Sequence, residues 1–159
     1  MPHYLGAPEE NPTRLDSMDV LGDIAWNQPH VRHAVKSSGR WHVEVRRSGR
    51  YRLSLRRWPE EIDVPINEAA PELPVPKELE HSPYQAIDAF FKKITAIQAV
   101  GASISIAGIE REASLEDDKA REISFECDLP AGASELKAVF RLADGSELGA
   151  YYLYAEYLG

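Results

Sequence analysis

The chain has 159 residues, 43% of them apolar, which is enough for one domain with a core and ordinary for a soluble globular protein. Its formal charge of -8 argues against non-specific nucleic-acid binding, and no apolar run reaches the roughly 20 residues a membrane-spanning helix needs. The single cysteine, Cys127, excludes an intrachain disulfide.

Residues 1–14 carry Pro2, Pro8 and Pro12 and predict an irregular N-terminal arm. They lack the basic-then-apolar order of a secretory signal. Residues 15–159 read as one β domain. Trp26 in DIAWNQPHV suits a loop or a short strand. The clearest local pattern is WHVEVRRSGRYRLSLRRW. Trp41, Val43 and Val45 alternate with polar residues, and after Ser48-Gly49 so do Tyr51, Leu53 and Leu55. Period-two alternation on both sides of a Ser-Gly turn predicts an antiparallel hairpin with one buried face. Pro59 ends its second strand. Five of the eleven prolines lie between Pro65 and Pro83, so 65–83 reads as an extended Pro-rich connection.

Ser82-Pro83 is a helix-start pair, and Ile87, Phe90, Phe91 and Ile94 follow at helical spacing, predicting one short helix over about 83–93. A strand is expected over about 97–107, then a charged loop, EREASLEDDKA. REISFECDL places Ile123, Phe125, Cys127 and Leu129 inward, and LKAVFRL does the same with Leu136, Ala138, Phe140 and Leu142. Asp144-Gly145 turns the chain, and ELGAYYLYAEYL reads as a final aromatic strand. Seven or eight short strands imply a mainly β fold, an antiparallel β-sandwich of jelly-roll type with one short helix. A helix packed on a single antiparallel sheet is the alternative.

Charge is unevenly spread. From Arg32 to Arg57 nine Lys/Arg face one acid, Glu44, so this stretch carries +8 and the rest about -16. By parity Arg46, Arg50, Arg52 and Arg56 point outward. They form either a basic strip for a sulfated or carboxylated polysaccharide, whose anions match guanidinium forks, or a solvated outer face, or a surface that docks on an acidic partner domain. Tyr152 and Tyr154 share a face and offer either sugar stacking or packing. Arg57 has the phase of the inward residues and needs a partner. Glu60, Glu61 and Asp63 are the local candidates, so Arg57, Trp58 and Glu60 are expected to fasten the strand end, with Trp41 as a core anchor. His30 and His33 lack a third ligand, and Asp117-Asp118 lies in a polar loop beside Lys119, so neither pair predicts a metal site. No nucleophile elbow supports a Ser-His-Asp set. Nothing in the sequence calls for a cofactor.

The segments NPTRL, AWNQPHV, GRWHVEVRRSGRYRLSLRRWPEEIDVPI, ASISIAGI, FECDLPAG and GAYYLYAEYL, in this order, resemble the C-terminal region of bacterial arylsulfatase-like proteins. The most specific part is Trp41-x-Val43-x-Val45 with Gly49-x-Tyr51 and Leu55-Arg56-Arg57-Trp58-Pro59-x-Glu61, followed by Gly149-Ala150-Tyr151-Tyr152. The catalytic Cys/Ser-x-Pro-x-Arg motif does not carry over, because the only cysteine stands in Cys127-Asp128-Leu129-Pro130-Ala131. The resemblance therefore implies a non-catalytic accessory domain that packs on a sulfatase catalytic domain, in cis or in trans. It would be extracytoplasmic if part of an exported sulfatase. The Trp41–Tyr51 hairpin is also similar to carbohydrate-binding modules with a galactose-binding-like jelly roll. That likeness implies a carbohydrate-binding module, and with the outward arginines it suggests one for acidic or sulfated polysaccharide.

Overall fold

A computed structural model describes residues 1–22, 34, 36–71, 77 and 95–159. These form a β-sandwich of ten strands: β1 (His3–Leu5), β2 (Thr13–Asp16), β3 (Arg40–Val45), β4 (Gly49–Arg56), β5 (Ala99–Ile106), β6 (Ile109–Ser114), β7 (Ile123–Leu129), β8 (Gly132–Leu142), β9 (Glu147–Gly149) and β10 (Tyr152–Tyr157). The first sheet runs β1-β3-β8-β5-β6, with β9 also on β8. The second runs β2-β10-β4-β7. All pairings are antiparallel except β1 with β3, which is parallel.

Alternation sets the inward rows. Trp41, Val43 and Val45 of β3, Ala102, Ile104 and Ile106 of β5, and Leu136, Ala138 and Phe140 of β8 are buried from one side. Tyr51, Leu53 and Leu55 of β4, the odd-numbered residues Ile123 to Leu129 of β7, and Leu153 and Ala155 of β10 are buried from the other. Facing sheets of this kind stand about 10 Å apart, filled by such rows. Trp41 anchors the core and its indole N–H donates to the Asp16 carbonyl (2.8 Å).

Several expectations change. The Trp41–Trp58 segment is not a hairpin. Its strands β3 and β4 lie in different sheets, β3 against β1 and β8, β4 against β10 and β7. A chain that arches between two sheets buries the same parity as a hairpin, so alternation alone does not separate them. The N-terminal arm is not irregular throughout. β1 pairs with β3, and β2 opens a strand beside β10. The charged loop begins with strand β6, paired along β5. The final aromatic strand is two strands, β9 in the first sheet and β10 in the second, with buried Ala150 and Tyr151 at the crossing. Trp26, the helix expected at 83–93 and the His30/His33 pair lie outside the described residues, as does most of the Pro-rich connection.

The β9 crossing depends on close approach. The Gly149 N–H donates to the Ser37 carbonyl (2.9 Å) and the Ala138 N–H to the Gly39 carbonyl (2.7 Å). A Cβ on Gly149 would land on the Gly39 nitrogen and the Ser37 carbonyl, which are backbone atoms that cannot swing aside. Gly149→Ala is therefore expected to cost on the order of 3 kcal/mol. Gly145→Ala, with open space around it but a φ of +87°, should cost about 1 kcal/mol. Thermal melting of the two variants checks this, and the reverse order would contradict it.

Candidate functional site

Strand β4 presents Arg50, Arg52, Ser54 and Arg56 on the outer face of the second sheet, between the outward residues of β7 and β10. In register, Arg50 faces Asp128, Arg52 lies between Glu126 and Glu156, and Ser54 between Ser124 and Tyr154. The arginines are paired throughout. Arg50 reaches Glu126 and Asp128 (3.6 Å each), Arg52 reaches Glu126 (2.9 Å) and Glu156 (3.5 Å), and Arg56 reaches Glu122 (3.6 Å). The expected basic strip is thus a ladder of alternating charge across three strands. Arg46 does not join it. It pairs with Glu44 (3.2 Å) at the end of β3 and lies over the Tyr4 ring at 4.4 Å.

Toward the end of β4 the outer face is covered rather than solvated. Arg56 is buried and its Nε donates to the Trp58 carbonyl (3.1 Å). Tyr152 and Tyr154 lie beside it, only 4% and 8% exposed, so no sugar ring reaches them in this conformation. The Arg14 guanidinium sits over the Tyr152 ring (4.9 Å) while bonding Glu61 (3.0 Å), and the Glu60 N–H donates to the Tyr154 hydroxyl (3.0 Å). The segment after β4 folds back over these tyrosines.

Arg57 is fully buried, as its phase predicts, but the expected Glu60, Glu61 or Asp63 partner is not what it meets. Glu61 is taken by Arg14 and Asp63 by Arg121. Arg57 instead donates to the Thr95 carbonyl and stacks on Trp58, whose indole N–H donates to the Glu68 carbonyl (3.0 Å). Burial lowers the Arg57 pKa to about 10, opposed by the nearby Tyr151 hydroxyl. Burial also pushes the Cys127 thiol up, away from the reactive thiolate.

Among the described residues, open concave surface lies on the outer face of the first sheet, where no aromatic or motif pattern in the sequence pointed. One groove of about 470 Å³ is lined by Ser103 and Ser105 of β5, Glu110 and Glu112 of β6, Lys137 of β8 and Glu147 of β9. A second, of about 750 Å³, continues over Lys36–Ser38, Arg40, Val139, Leu148 and Gly149. The two share Lys137 and Glu147, which pair at 3.5 Å. Arg40 at the far side pairs with Glu135 (3.1 Å). Among the described residues no cluster of three or more His, Cys, Asp or Glu suits a metal ion. Outward parity on β5 and β8 would have placed Ser103, Ser105 and Lys137 on one face. Their adjacency needs the register of β5 with β8, which the sequence does not state.

Two outcomes follow from these environments. Arg57→Ala should lower stability by about 2–4 kcal/mol, as other large-to-small core changes do, whereas Arg52→Ala, half-exposed in a surface ladder, should cost at most about 1 kcal/mol. Equal melting temperatures for the two would contradict this. Burial also raises the phenols of Tyr51, Tyr151 and Tyr154 above the usual value near 10. They ionise first in the unfolded chain, so this contribution to stability is full below pH 10 and is lost as pH rises beyond it. Arg57, with its lowered value, acts in the opposite sense. Alkaline spectrophotometric titration should show at least three of the seven tyrosines lagging behind free tyrosine until the protein unfolds. All seven titrating together in the folded state would contradict it.

No family model matches the chain, and no curated protein does either. Among solved structures it is similar to the CBM35 from Cellvibrio japonicus Abf62, with a TM-score of 0.45 and 14% identity over 92% of both chains. It is also similar to a ruminal GH26 endo-β-1,4-mannanase, with a TM-score of 0.44 and 14% identity, covering 93% of this chain and 26% of that one. At this identity and TM-score neither likeness carries a ligand or an activity over to this chain.

Proposed function

We propose that this chain is a non-catalytic carbohydrate-binding module whose ligand lies in the trough on the outer face of the first sheet. The observation that carries the reading is the pair of adjoining grooves that share Lys137 and Glu147. Sugar hydroxyls need donors and acceptors on one surface, and Lys137, Glu147, Glu112, Ser103 and Ser105 supply both.

Charge favours a neutral glycan over the acidic or sulfated one that the arginine-rich strand suggested. The arginines of β4 are occupied by Glu122, Glu126, Asp128 and Glu156. In the trough the basic Lys36, Arg40, Arg111 and Lys137 are opposed by Glu110, Glu112 and Glu147, with Glu135 on Arg40. Within a longer chain of the arylsulfatase-like kind, the same surface would hold polysaccharide beside a catalytic domain.

Affinity electrophoresis in gels containing xylan, β-mannan, cellulose derivatives or a sulfated galactan tests this. Retardation by a neutral polysaccharide is expected. It should persist at about 1 M salt, where electrostatics are screened beyond about 3 Å, and fall about tenfold in Lys137→Ala or Glu147→Gln. Free migration in every gel would overturn the reading, and retardation only by the sulfated polymer at low salt would overturn its neutral form.

A further inference from the structure

The two grooves meet at one residue position of the central strand. Lys137 of β8 lies opposite Arg40 of β3 on one side and Ser105 of β5 on the other. From there one groove runs outward over β5 to Glu110 and Glu112 on β6, which face Ser105 and Ser103 in register. The other runs over β9 to residues 36–38. The trough thus crosses the strands instead of following one. Neighbouring strands are about 4.8 Å apart, so crossing from β6 through β5 and β8 to the neighbouring row covers about 14 Å. That is more than one pyranose ring spans. At the β6 end the surface reaches a sheet edge, since β6 is the last strand on that side among the described residues.

Among the described residues, the side chains common to both halves form an exposed ion pair. Lys137 and Glu147 are 46% and 57% exposed and 3.5 Å apart. Such a pair is worth little in water and gives way at small cost. Lys137 has three donors and Glu147 only acceptors, so a hydroxyl placed between them can satisfy both.

We infer that the two grooves are one site, with Lys137 and Glu147 at its centre, and that it takes an extended stretch of glycan several sugars long, not a single terminal sugar. This rests on the carbohydrate reading above. It concerns how much of the chain is held, which that reading leaves open.

Titration calorimetry with β-1,4-linked xylo-, manno- and cello-oligosaccharides, from di- to hexasaccharide, reads this directly on the unaltered protein. Affinity should climb about tenfold or more from disaccharide to hexasaccharide in the series that binds. Ser103→Trp, which fills the half over β5, and Ser146→Trp, at an exposed residue that lines the half by β9 and bonds Asp144, should each bring the hexasaccharide down to the disaccharide level while the protein still melts cooperatively. Equal affinity at every length would overturn the inference while leaving the carbohydrate reading standing. So would either tryptophan variant that keeps full hexasaccharide affinity. Absence of heat with every oligosaccharide, together with free migration in all the polysaccharide gels, would overturn both.

Discussion

Between Val45 and Gly49 the chain leaves one sheet and enters the other with only Arg46, Arg47 and Ser48 to make the passage, and backbone contacts with the N-terminal strand hold it there. The Arg46 N–H donates to the Leu5 carbonyl (2.8 Å), and Arg47 Nε donates to the Gly6 carbonyl (2.6 Å). The Tyr51 hydroxyl donates back to the Arg47 carbonyl (2.6 Å). Gly6 is obligatory here, because a Cβ in its place would fall on that hydroxyl and its φ of +71° is left-handed. The Arg47 guanidinium lies 3.9 Å from the Tyr157 ring, which meets Tyr51 edge-on at 5.3 Å. This arch sets Trp41, Val43 and Val45 opposite Tyr51, Leu53 and Leu55 across the core. Each strand then finds its neighbours far away in sequence. Closing such long loops before contacts form costs entropy, and a held crossing lowers that cost for the rest of the sandwich.

Charge follows from the same layout. Because β4 is an inner strand of its sheet, its outward arginines have a strand on either side, and both neighbours bring acids. Each exposed pair contributes little alone. Their collective effect is to leave this face without an unopposed basic field, which removes the attraction an anionic polymer would need. On β7, the edge strand, Glu126 and Asp128 also point outward, a charge pattern that discourages pairing with another chain's strand. Among the described residues the outer face of the first sheet carries Arg40–Glu135 and Lys137–Glu147 over its central strands, and the surface there dips into a trough.

Parity was legible in the sequence, and pairing was not. Ile123, Phe125, Cys127 and Leu129 alternate cleanly and are buried as read, and β5 at Ala99–Ile106 falls inside the expected 97–107. His3–Leu5 and Thr13–Asp16 carry too few residues for periodicity to show. They are strands because β3 and β10 offer free edges. β6, with the sequence IEREAS, reads as loop because an edge strand with half-exposed inward positions needs few apolar residues. The burial of Arg57 followed from its phase, but its seat on Trp58 and the Thr95 carbonyl depends on a segment 38 residues away. The trough was illegible for the same reason, since serines on β5, a lysine on β8 and glutamates on β6 and β9 become a surface only once the strand order is known.

The proposed resemblance to arylsulfatase-like C-terminal regions rests mostly on residues that the fold puts inside. Of its most specific part, Trp41, Val43, Val45, Tyr51, Leu55, Arg56, Arg57, Trp58 and Pro59 are all buried. Residues in such positions answer to packing, to a covered guanidinium and to the turn at Pro59, and these demands are the same whatever the surface does. Lys137 and Glu147 lie outside that part of the pattern and face water. Two chains sharing the Trp41–Glu61 pattern can therefore share this sandwich and its arch while differing in every side chain that touches a ligand. What would distinguish a docking domain from the proposed glycan module on this framework is the outer face of the first sheet, where the side chains are polar, mixed in charge and arranged along a trough.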